Sequence, residues 1–246
     1  MPLNPLAPVT DYQSMLNRIF WFTSACALAC VWLLRKYIPA LDAALAQVDE
    51  ATAFGGTNGA PTPGGYLLPA LAVGILTRVF HVHARISDLL GIRECFDLKV
   101  IIGELARQSG VDLGSVEQSR MRAARHPLMR KTFYAFVSGP QPQIDQRLVE
   151  QALDAWSWFW IGVETTLLFT MTGFALVACG AGAAGAWSLY GAASLALVGL
   201  PAIRGQCRRY AAAQVRAILD DAGRAAAVRQ AFAELRGEDA RGRRAA

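Results

Sequence analysis

The chain has 246 residues, of which 54% are hydrophobic and only 17% are charged. Its mean hydropathy is +0.29, whereas soluble proteins carry about 25% charged residues. This composition excludes an intrinsically disordered chain, and no glycine period of the collagen type is present. The net charge of +5 comes from 24 basic and 19 acidic residues, which are unevenly distributed along the chain.

Four stretches hold most of the hydrophobic residues, and each predicts a transmembrane helix. A helix needs about 17–25 apolar residues to cross the hydrocarbon core of a bilayer. The third and fourth stretches meet this length, and the first two are at its lower limit. Aromatic residues at both ends of the first stretch and at the start of the third favour the membrane interface. The four predicted helices are 19–34, 66–82, 155–178 and 186–203.

Two other interpretations of these stretches are weaker. Core helices of a soluble protein rarely contain apolar runs of this length. A cleaved signal peptide would place its cleavage site at Ala44-Leu45-Ala46, but Arg35 and Lys36 lie between that site and the apolar run. The first stretch is therefore predicted to be a retained signal-anchor helix.

The basic residues predict an orientation, because cytoplasmic loops keep an excess of Lys and Arg. Residues 83–154 and 204–246 hold ten basic residues each, residues 35–65 hold two, and residues 179–185 hold none. This asymmetry predicts a multi-pass protein of the bacterial inner membrane with both termini in the cytoplasm. The segment 1–18 is then a cytoplasmic N-terminus, 35–65 a flexible external loop and 179–185 a short external turn.

The predicted fold class is an all-α integral membrane protein with a helical cytoplasmic domain at 83–154. Apolar residues recur there at helical spacing, and strand signals are nearly absent. Ten basic residues face nine acidic ones, which favours a packed domain over a nucleic-acid platform. A bundle of this size is marginal alone, so we expect oligomer contacts or the membrane helices to complete its core. From Ile144 the apolar pattern continues without a break into the third membrane helix.

The C-terminal segment 204–246 is predicted to be a basic helical tail, with ten arginines and five acidic residues. The simplest interpretation is a solvated tail that sets the membrane orientation. The alternatives are pairing with the tail of a second copy and contact with anionic lipid headgroups, where each basic residue gains about 1 kcal/mol. Nucleic-acid binding is unsupported, because the arginines show no aromatic interleaving. The candidate headgroup contacts are Arg204, Arg208 and Arg209.

No catalytic or cofactor motif is present, so we expect a non-enzymatic protein without a cofactor or a metal. The sequence contains no Walker loop, no His-Glu-x-x-His, no Gly-x-Ser-x-Gly and no Cys-x-x-Cys. His81 and His83 are two residues apart, so on a continuous helix their side chains would point about 200° away from each other. Such a pair does not easily share a metal ion.

Glu164 is the most distinctive residue, because acidic side chains within membrane helices are rare and face a partner or a pathway. The depths of Glu164 and Arg78 in their predicted helices differ by roughly 7 Å at 1.5 Å per residue, which an arginine side chain can bridge. We therefore predict an Arg78–Glu164 charge pair. The alternatives are a pore-lining or proton-relay glutamate, and an arginine whose charge extends to the headgroups.

The fourth helix carries a stripe of small residues that favours close packing against another membrane helix. Its partner is either the third helix or a second copy of the chain. The stripe consists of Ser188, Ala192 and Ala196.

The favoured functional hypothesis is an oligomeric channel- or pore-type protein, or a membrane-perturbing effector, gated by its cytoplasmic helical domain. Short spans with a cytoplasmic receiver are typical of bacterial membrane effectors, including those of defence and stress systems, by analogy of architecture. The second hypothesis is a membrane anchor or scaffold subunit that recruits a soluble cytoplasmic partner, and the third is a small transporter subunit. The expected partners are the lipid bilayer and further copies of the chain, with no nucleic acid.

Overall fold

The chain folds into helices joined by short turns. The computed structural model describes residues 7–52, 64–114, 116–139 and 141–245, with side chains through Gly237, and these ranges contain no strand. Three π-helical segments interrupt the α-helices: π1 (Asp97–Ile102), π2 (Arg130–Tyr134) and π3 (Leu195–Gly199). The α-helices are α1 (Tyr12–Tyr37), α2 (Pro39–Thr52), α3 (Gly64–Val79), α4 (Val82–Leu89), α5 (Ile92–Phe96), α6 (Gly103–Ser109), α7 (Gln118–Met129), α8 (Ala135–Val137), α9 (Gln146–Ala178), α10 (Gly182–Ser194), α11 (Leu200–Leu219) and α12 (Ala222–Ala245).

Three continuous helices among the described residues are long and apolar enough to cross a membrane: Tyr12–Tyr37, Gln146–Ala178 and Gly182–Leu219. A fourth candidate is the pair α3 and α4, whose axes differ by 57°. The bend arises at His81, whose φ of 48° lies in the left-handed region and ends a right-handed helix. The predicted span 66–82 is therefore a helix that stops at Val79, followed by a turn.

The continuity of the third membrane helix is confirmed. The helix α9 runs unbroken from Gln146 to Ala178, as the apolar pattern that begins at Ile144 predicts. At 1.5 Å per residue its 33 residues extend about 50 Å, well beyond the roughly 30 Å of a bilayer core. This helix therefore has to extend outside any membrane that it crosses.

The chain divides into two compact units. The first, here called the apolar unit, consists of Met1–His83 and Asp154–Arg204. The second, here called the helical domain, consists of Ala84–Leu153 and Gly205–Ala246. The central region and the C-terminal tail therefore belong to one folded body.

The prediction of a solvated tail is wrong, because the tail supplies a large part of the core of the helical domain. Val215 and Ile218 of α11 are fully buried, as are Val228 and Phe232 of α12. Their spacing of three and four residues places them on one face of each helix. They share this core with residues of the central region, including Ile102, Leu105, Met129 and Phe133.

Arg35 links three helices at one end of the apolar unit. Its guanidinium donates to Asp42 at 2.7 Å and to Asp49 at 2.8 Å, and it stacks over the ring of Tyr66 at 4.1 Å. The backbone N–H of Gly65 donates to Asp49 at 2.6 Å. This hydrogen bond and Arg35 lower the pKa of Asp49, so the carboxylate stays ionised at neutral pH. Arg35 thus joins α1, α2 and α3.

The predicted external loop 35–65 is partly helical. Residues 39–52 form α2, so the first part of the predicted flexible loop is a helix. The glycine- and proline-rich stretch that predicts a flexible connector falls mainly on residues 53–63, which lie outside the described residues. Its last two glycines form the first turn of α3.

The substitution Phe232→Ala tests whether the tail completes the helical domain. Removing a fully buried aromatic side chain costs about 3–5 kcal/mol, so the domain should unfold at a lower denaturant concentration. Thiol labelling of Cys207, which is 1% exposed, reports this unfolding in the full chain. The substitution Leu89→Ala serves as the control because Leu89 is 85% exposed. If Cys207 were labelled at the same denaturant concentration in both variants, the tail would not be part of the core of the helical domain.

Candidate functional site

Polar side chains join α1 to α9 inside the apolar unit, and we call this row of contacts the polar seam. Polar groups buried among apolar helices are costly unless they pair with each other, and each member of the seam has a partner on the facing helix. The contacts are Arg18 with Asp154 and Ser157, Thr23 with Glu164, Cys26 with Thr165, and Cys30 with Thr172.

The seam shows that α1 and α9 run parallel, because residue numbers rise together along both helices. From Asp154 to Thr172 the seam rises about 27 Å along α9, and from Arg18 to Cys30 it rises about 18 Å along α1, at 1.5 Å per residue. The hydrocarbon core of a bilayer is about 30 Å thick. The polar seam therefore covers more than half of the thickness of a membrane core.

Arg18 occupies the first position of the polar seam and is buried. It forms a salt bridge with Asp154, lies 3.3 Å from the hydroxyl of Ser157, and donates to the carbonyl of Ala7 at 2.7 Å. Its guanidinium also lies 5.6 Å from the ring centroid of Trp158. The charge of Arg18 is thus compensated within the apolar unit.

Glu164 lies in the middle of the polar seam and is 2% exposed. The hydroxyl of Thr23 donates to its Oε2 atom. Its Oε1 atom is buried and has no hydrogen-bond partner. Ser24, the next residue on α1, also has a buried hydroxyl without a partner. Unsatisfied buried polar atoms are uncommon, and each one raises the question of a function.

The predicted Arg78–Glu164 pair is not formed. Arg78 donates to the side-chain oxygen of Asn17 at 2.6 Å, and Glu164 is held by Thr23. The depth estimate assumes that the second span reaches residue 82, whereas α3 ends at Val79. Arg78 therefore lies in the last turn of its helix, where it reaches the first third of α1.

The predicted stripe on the fourth helix contributes to close packing with α9. Ser188 and Ala192 are buried, Ala196 is half-buried, and the hydroxyl of Ser188 donates to the carbonyl of Phe169 at 2.8 Å. Gly185 extends the stripe beyond the prediction, and Gly173 lies opposite it on α9. A Cβ atom on Gly185 would lie 2.7 Å from the carbonyl oxygen of Gly173, so only glycine fits at this crossing.

The two histidines near the bend are closer than a continuous helix allows. The break at His81 brings its ring to 6.2 Å from that of His83, and His83 lies 6.0 Å from the ring of Trp160. No group of three or more His, Cys, Asp or Glu side chains that could hold a metal ion occurs within the described ranges. The histidine pair alone does not make a metal site.

The candidate headgroup contacts differ in exposure. Arg208 and Arg209 are exposed on α11, and Arg204 is half-buried. Exposed arginines at the end of an apolar helix are compatible with lipid headgroups. The contact itself stays a prediction.

A second polar cluster lies in the helical domain, where α5 and π1 face α7. Glu94 pairs with Arg122 at 3.0 Å, and Asp97 pairs with Arg125 at 3.5 Å. The two acids are three residues apart, as are the two arginines, so the two ion pairs lie next to each other between two helical faces. Asp97 begins π1, and π-helical segments are frequent at functional sites.

Asp97 is the buried acid of this cluster. Burial raises the pKa of Asp97 to about 6, although the nearby charges of Arg93 and Arg125 lower it. Arg93 also lies 3.4 Å from the hydroxyl of Tyr134 in π2. The cluster therefore connects both π segments of the helical domain to one buried carboxyl group.

Sequence reasoning missed most of the polar seam. Thr23 and the cysteines of the first helix are ordinary residues by themselves. On α1 they lie three and four residues apart, and Asp154, Ser157, Thr165 and Thr172 recur at helical spacing on α9. The signal that two polar stripes face each other is this pair of spacings.

The fold and the seam define an all-helical protein in which three to four helices are apolar and long enough to cross a membrane. The YmfE protein family matches residues 11–234, which is most of the chain, so the protein belongs to this family. No curated protein and no solved structure matches it.

The substitution Gly185→Ala tests the close crossing of α9 and α10. A Cβ atom at Gly185 would lie 2.6 Å from Val177 Cγ2, and such overpacking costs about 1–3 kcal/mol. Gly191 of the same helix has open space around its Cα, so Gly191→Ala should stabilise the helix by up to about 1 kcal/mol.

The two glycine variants should therefore shift the thermal midpoint in opposite directions. Tryptophan fluorescence in detergent measures this midpoint, because all six tryptophans belong to the apolar unit. A higher midpoint for Gly185→Ala would show that the crossing is not tight.

The substitution Asp97→Asn tests the buried carboxyl group of the helical domain. Because the folded pKa of about 6 lies above the ordinary value of 3.8, folding favours the protonated form. The resulting stability is fully present below the ordinary value and is lost as pH rises through about 6. The loss amounts to about 2–3 kcal/mol at 1.36 kcal/mol per unit.

Denaturant unfolding of the helical domain, followed by Cys207 labelling, checks this pH dependence. Relative to Asp97→Asn, the wild-type protein should lose stability as pH rises from 4 to 7, because the contributions of Glu104 and Glu234, whose pKa values are lowered, are common to both proteins. The same slope in both proteins would exclude Asp97 as the titrating group.

Proposed function

We propose that the protein is an oligomeric channel- or pore-type effector of the bacterial inner membrane, with the polar seam as its conducting path. The helical domain regulates the opening of that path from the cytoplasm. The protein is not an enzyme in this proposal. One observation carries it: a row of polar side chains that covers more than half of the thickness of a membrane core, with the buried carboxyl group of Glu164 in its middle.

The composition of the polar seam supports a conducting role. Acidic side chains within membrane helices are costly and mark ion or proton pathways. A glutamate that served only to fix helix packing would satisfy both of its oxygens, whereas Oε1 of Glu164 has no partner. The unmatched oxygen leaves a position for a passing ion or water molecule.

The proposed topology places both termini and the helical domain in the cytoplasm. The basic residues of the helical domain support this orientation through the positive-inside rule. The parallel direction of α1 and α9 agrees with it, because both helices then cross from the cytoplasm outward. Arg35 lies on the proposed outer side but does not oppose this orientation, because Asp42 and Asp49 neutralise its charge.

The second candidate function is a membrane anchor or scaffold subunit. The helical domain favours it, because that domain closes its core with its own residues and keeps its outer face for a soluble partner. A small transporter subunit is the third candidate, and it shares the polar seam with the channel proposal.

Ion leakage through reconstituted vesicles tests the channel proposal. The wild-type protein should collapse an imposed membrane potential, measured with a voltage-sensitive dye. Thr23→Val should slow the collapse, because the isosteric side chain removes the hydroxyl that holds Glu164. The effect should be tenfold or more if the lost hydrogen bond contributes about 1.4 kcal/mol to the conducting state.

The matched control is Thr170→Val on α9. The hydroxyl of Thr170 donates only to the carbonyl of Thr166 in its own helix, so this variant should conduct like the wild type. Wild-type vesicles without any leak, together with a stoichiometric complex with a soluble protein, would favour the scaffold instead. If both valine variants slowed the collapse equally, the polar seam would not be the conducting path.

A further inference from the structure

Glu164 is the only acidic residue in the four apolar stretches of the sequence. In the structure its carboxylate has one hydrogen-bond partner, the hydroxyl of Thr23, and its Oε1 atom has none. An ionised carboxylate in such surroundings carries a large desolvation penalty. One hydroxyl donor offsets only part of it. The group therefore needs a positive charge or a proton.

Neither oxygen of Glu164 accepts a hydrogen bond from a basic side chain, and three arginines of the apolar unit have other partners. Arg18 is paired with Asp154, Arg78 with Asn17, and Arg35 with two aspartates. The titratable neighbour on α1 is Cys26, whose sulfur lies 3.2 Å from the hydroxyl of Thr165. From Gly182 to Ile203 the chain has no charged residue at all.

A metal cation does not fit the geometry either. Hard cations such as Ca²⁺ take six to eight oxygen ligands, and Mg²⁺ takes six. No group of three or more His, Cys, Asp or Glu side chains suited to a metal occurs in the part of the chain that the structure describes. A proton needs only one oxygen.

We propose that Glu164 is a reversible proton-binding site, and that the proton is the ion that moves along the polar seam. In the resting state the proton lies on Oε1 while Thr23 donates to Oε2. Release of the proton to water at one end of the polar seam leaves a carboxylate that still accepts the hydrogen bond from Thr23. Rebinding of a proton from water at the other end completes one transfer. This inference rests on the proposed conducting function and names its ion.

Carbodiimide labelling tests the protonation state without any measurement of transport. Dicyclohexylcarbodiimide partitions into membranes and reacts with the acid form of a carboxyl group. The acid proton moves to one nitrogen, the oxygen bonds to the central carbon, and rearrangement gives a stable N-acylurea. Mass spectrometry of the tryptic peptide from Leu148 to Arg204 locates the adduct, because this peptide also contains Glu150 and Asp154 as internal comparisons.

In the full chain reconstituted in vesicles, we expect labelling of Glu164 at neutral pH. Labelling should fall roughly tenfold for each pH unit above the titration point of the group. Glu150→Gln should leave the adduct in place, and Glu164→Gln should abolish it. An unlabelled Glu164 at pH 7, in protein whose Glu164 reacts after denaturation in acid, would overturn the proposal. Suppression of labelling by sodium or potassium ions would also overturn it in favour of a metal-cation site.

Proton flux separates this inference from the proposed function. A pH-sensitive dye inside the vesicles should report proton entry driven by a potassium diffusion potential, and Glu164→Gln should reduce that entry at least tenfold. Labelling of Glu164 without any ion flux would retain the proton site and refute conduction. Flux of potassium or sodium without proton flux would retain conduction and refute the proton as its ion.

Discussion

A buried carboxylate that lacks a basic partner constrains the packing of the whole apolar unit. The hydrogen bond of Glu164 forms where α1 presents Thr23, so it depends on the register of α1 against α9. The salt bridge between Arg18 and Asp154 repeats this requirement at one end of the polar seam. Two such contacts fix both the direction and the register of parallel helices that apolar packing alone would leave free to slide.

The charges of Arg18 and Arg35 are compensated locally by acidic side chains, and this changes how the basic residues should be counted. Arg35 is almost completely buried, yet Asp42 and Asp49 bind its guanidinium and Tyr66 covers one face. An arginine held in this way contributes little to the field that orients membrane loops. The orientation therefore depends on the helical domain, in which exposed arginines such as Arg208 and Arg209 lie on the face of α11 away from the core.

Periodicity was sufficient to predict the helices, because helical spacing is local. It predicted the long helix α9 and the small-residue stripe on the fourth span. It failed where distant segments meet. The tail is so rich in alanine that its pattern does not predict a buried face. The burial of Phe232 depends on residues about a hundred positions earlier. The partners of Arg78 and Glu164 depend on where α3 ends, which His81 decides by adopting a positive φ. The π segments shift single hydrogen bonds, as at Gly103, whose N–H donates to Leu98.

Two acids are buried among the described residues, Asp97 and Glu164, and they differ in their counter-charge. Arg125 pairs with Asp97 at 3.5 Å in the helical domain, whereas Glu164 has only the hydroxyl of Thr23. An arginine brought to Glu164 would be a second buried ion in the middle of the polar seam, and its desolvation would offset the gain from pairing. Protonation neutralises the carboxyl group without adding a second buried ion. A proton is also the one counter-charge that can leave and return without any movement of the helices. A buried acid that is meant only to hold helices together gains nothing from this property, whereas a site that transfers ions requires it.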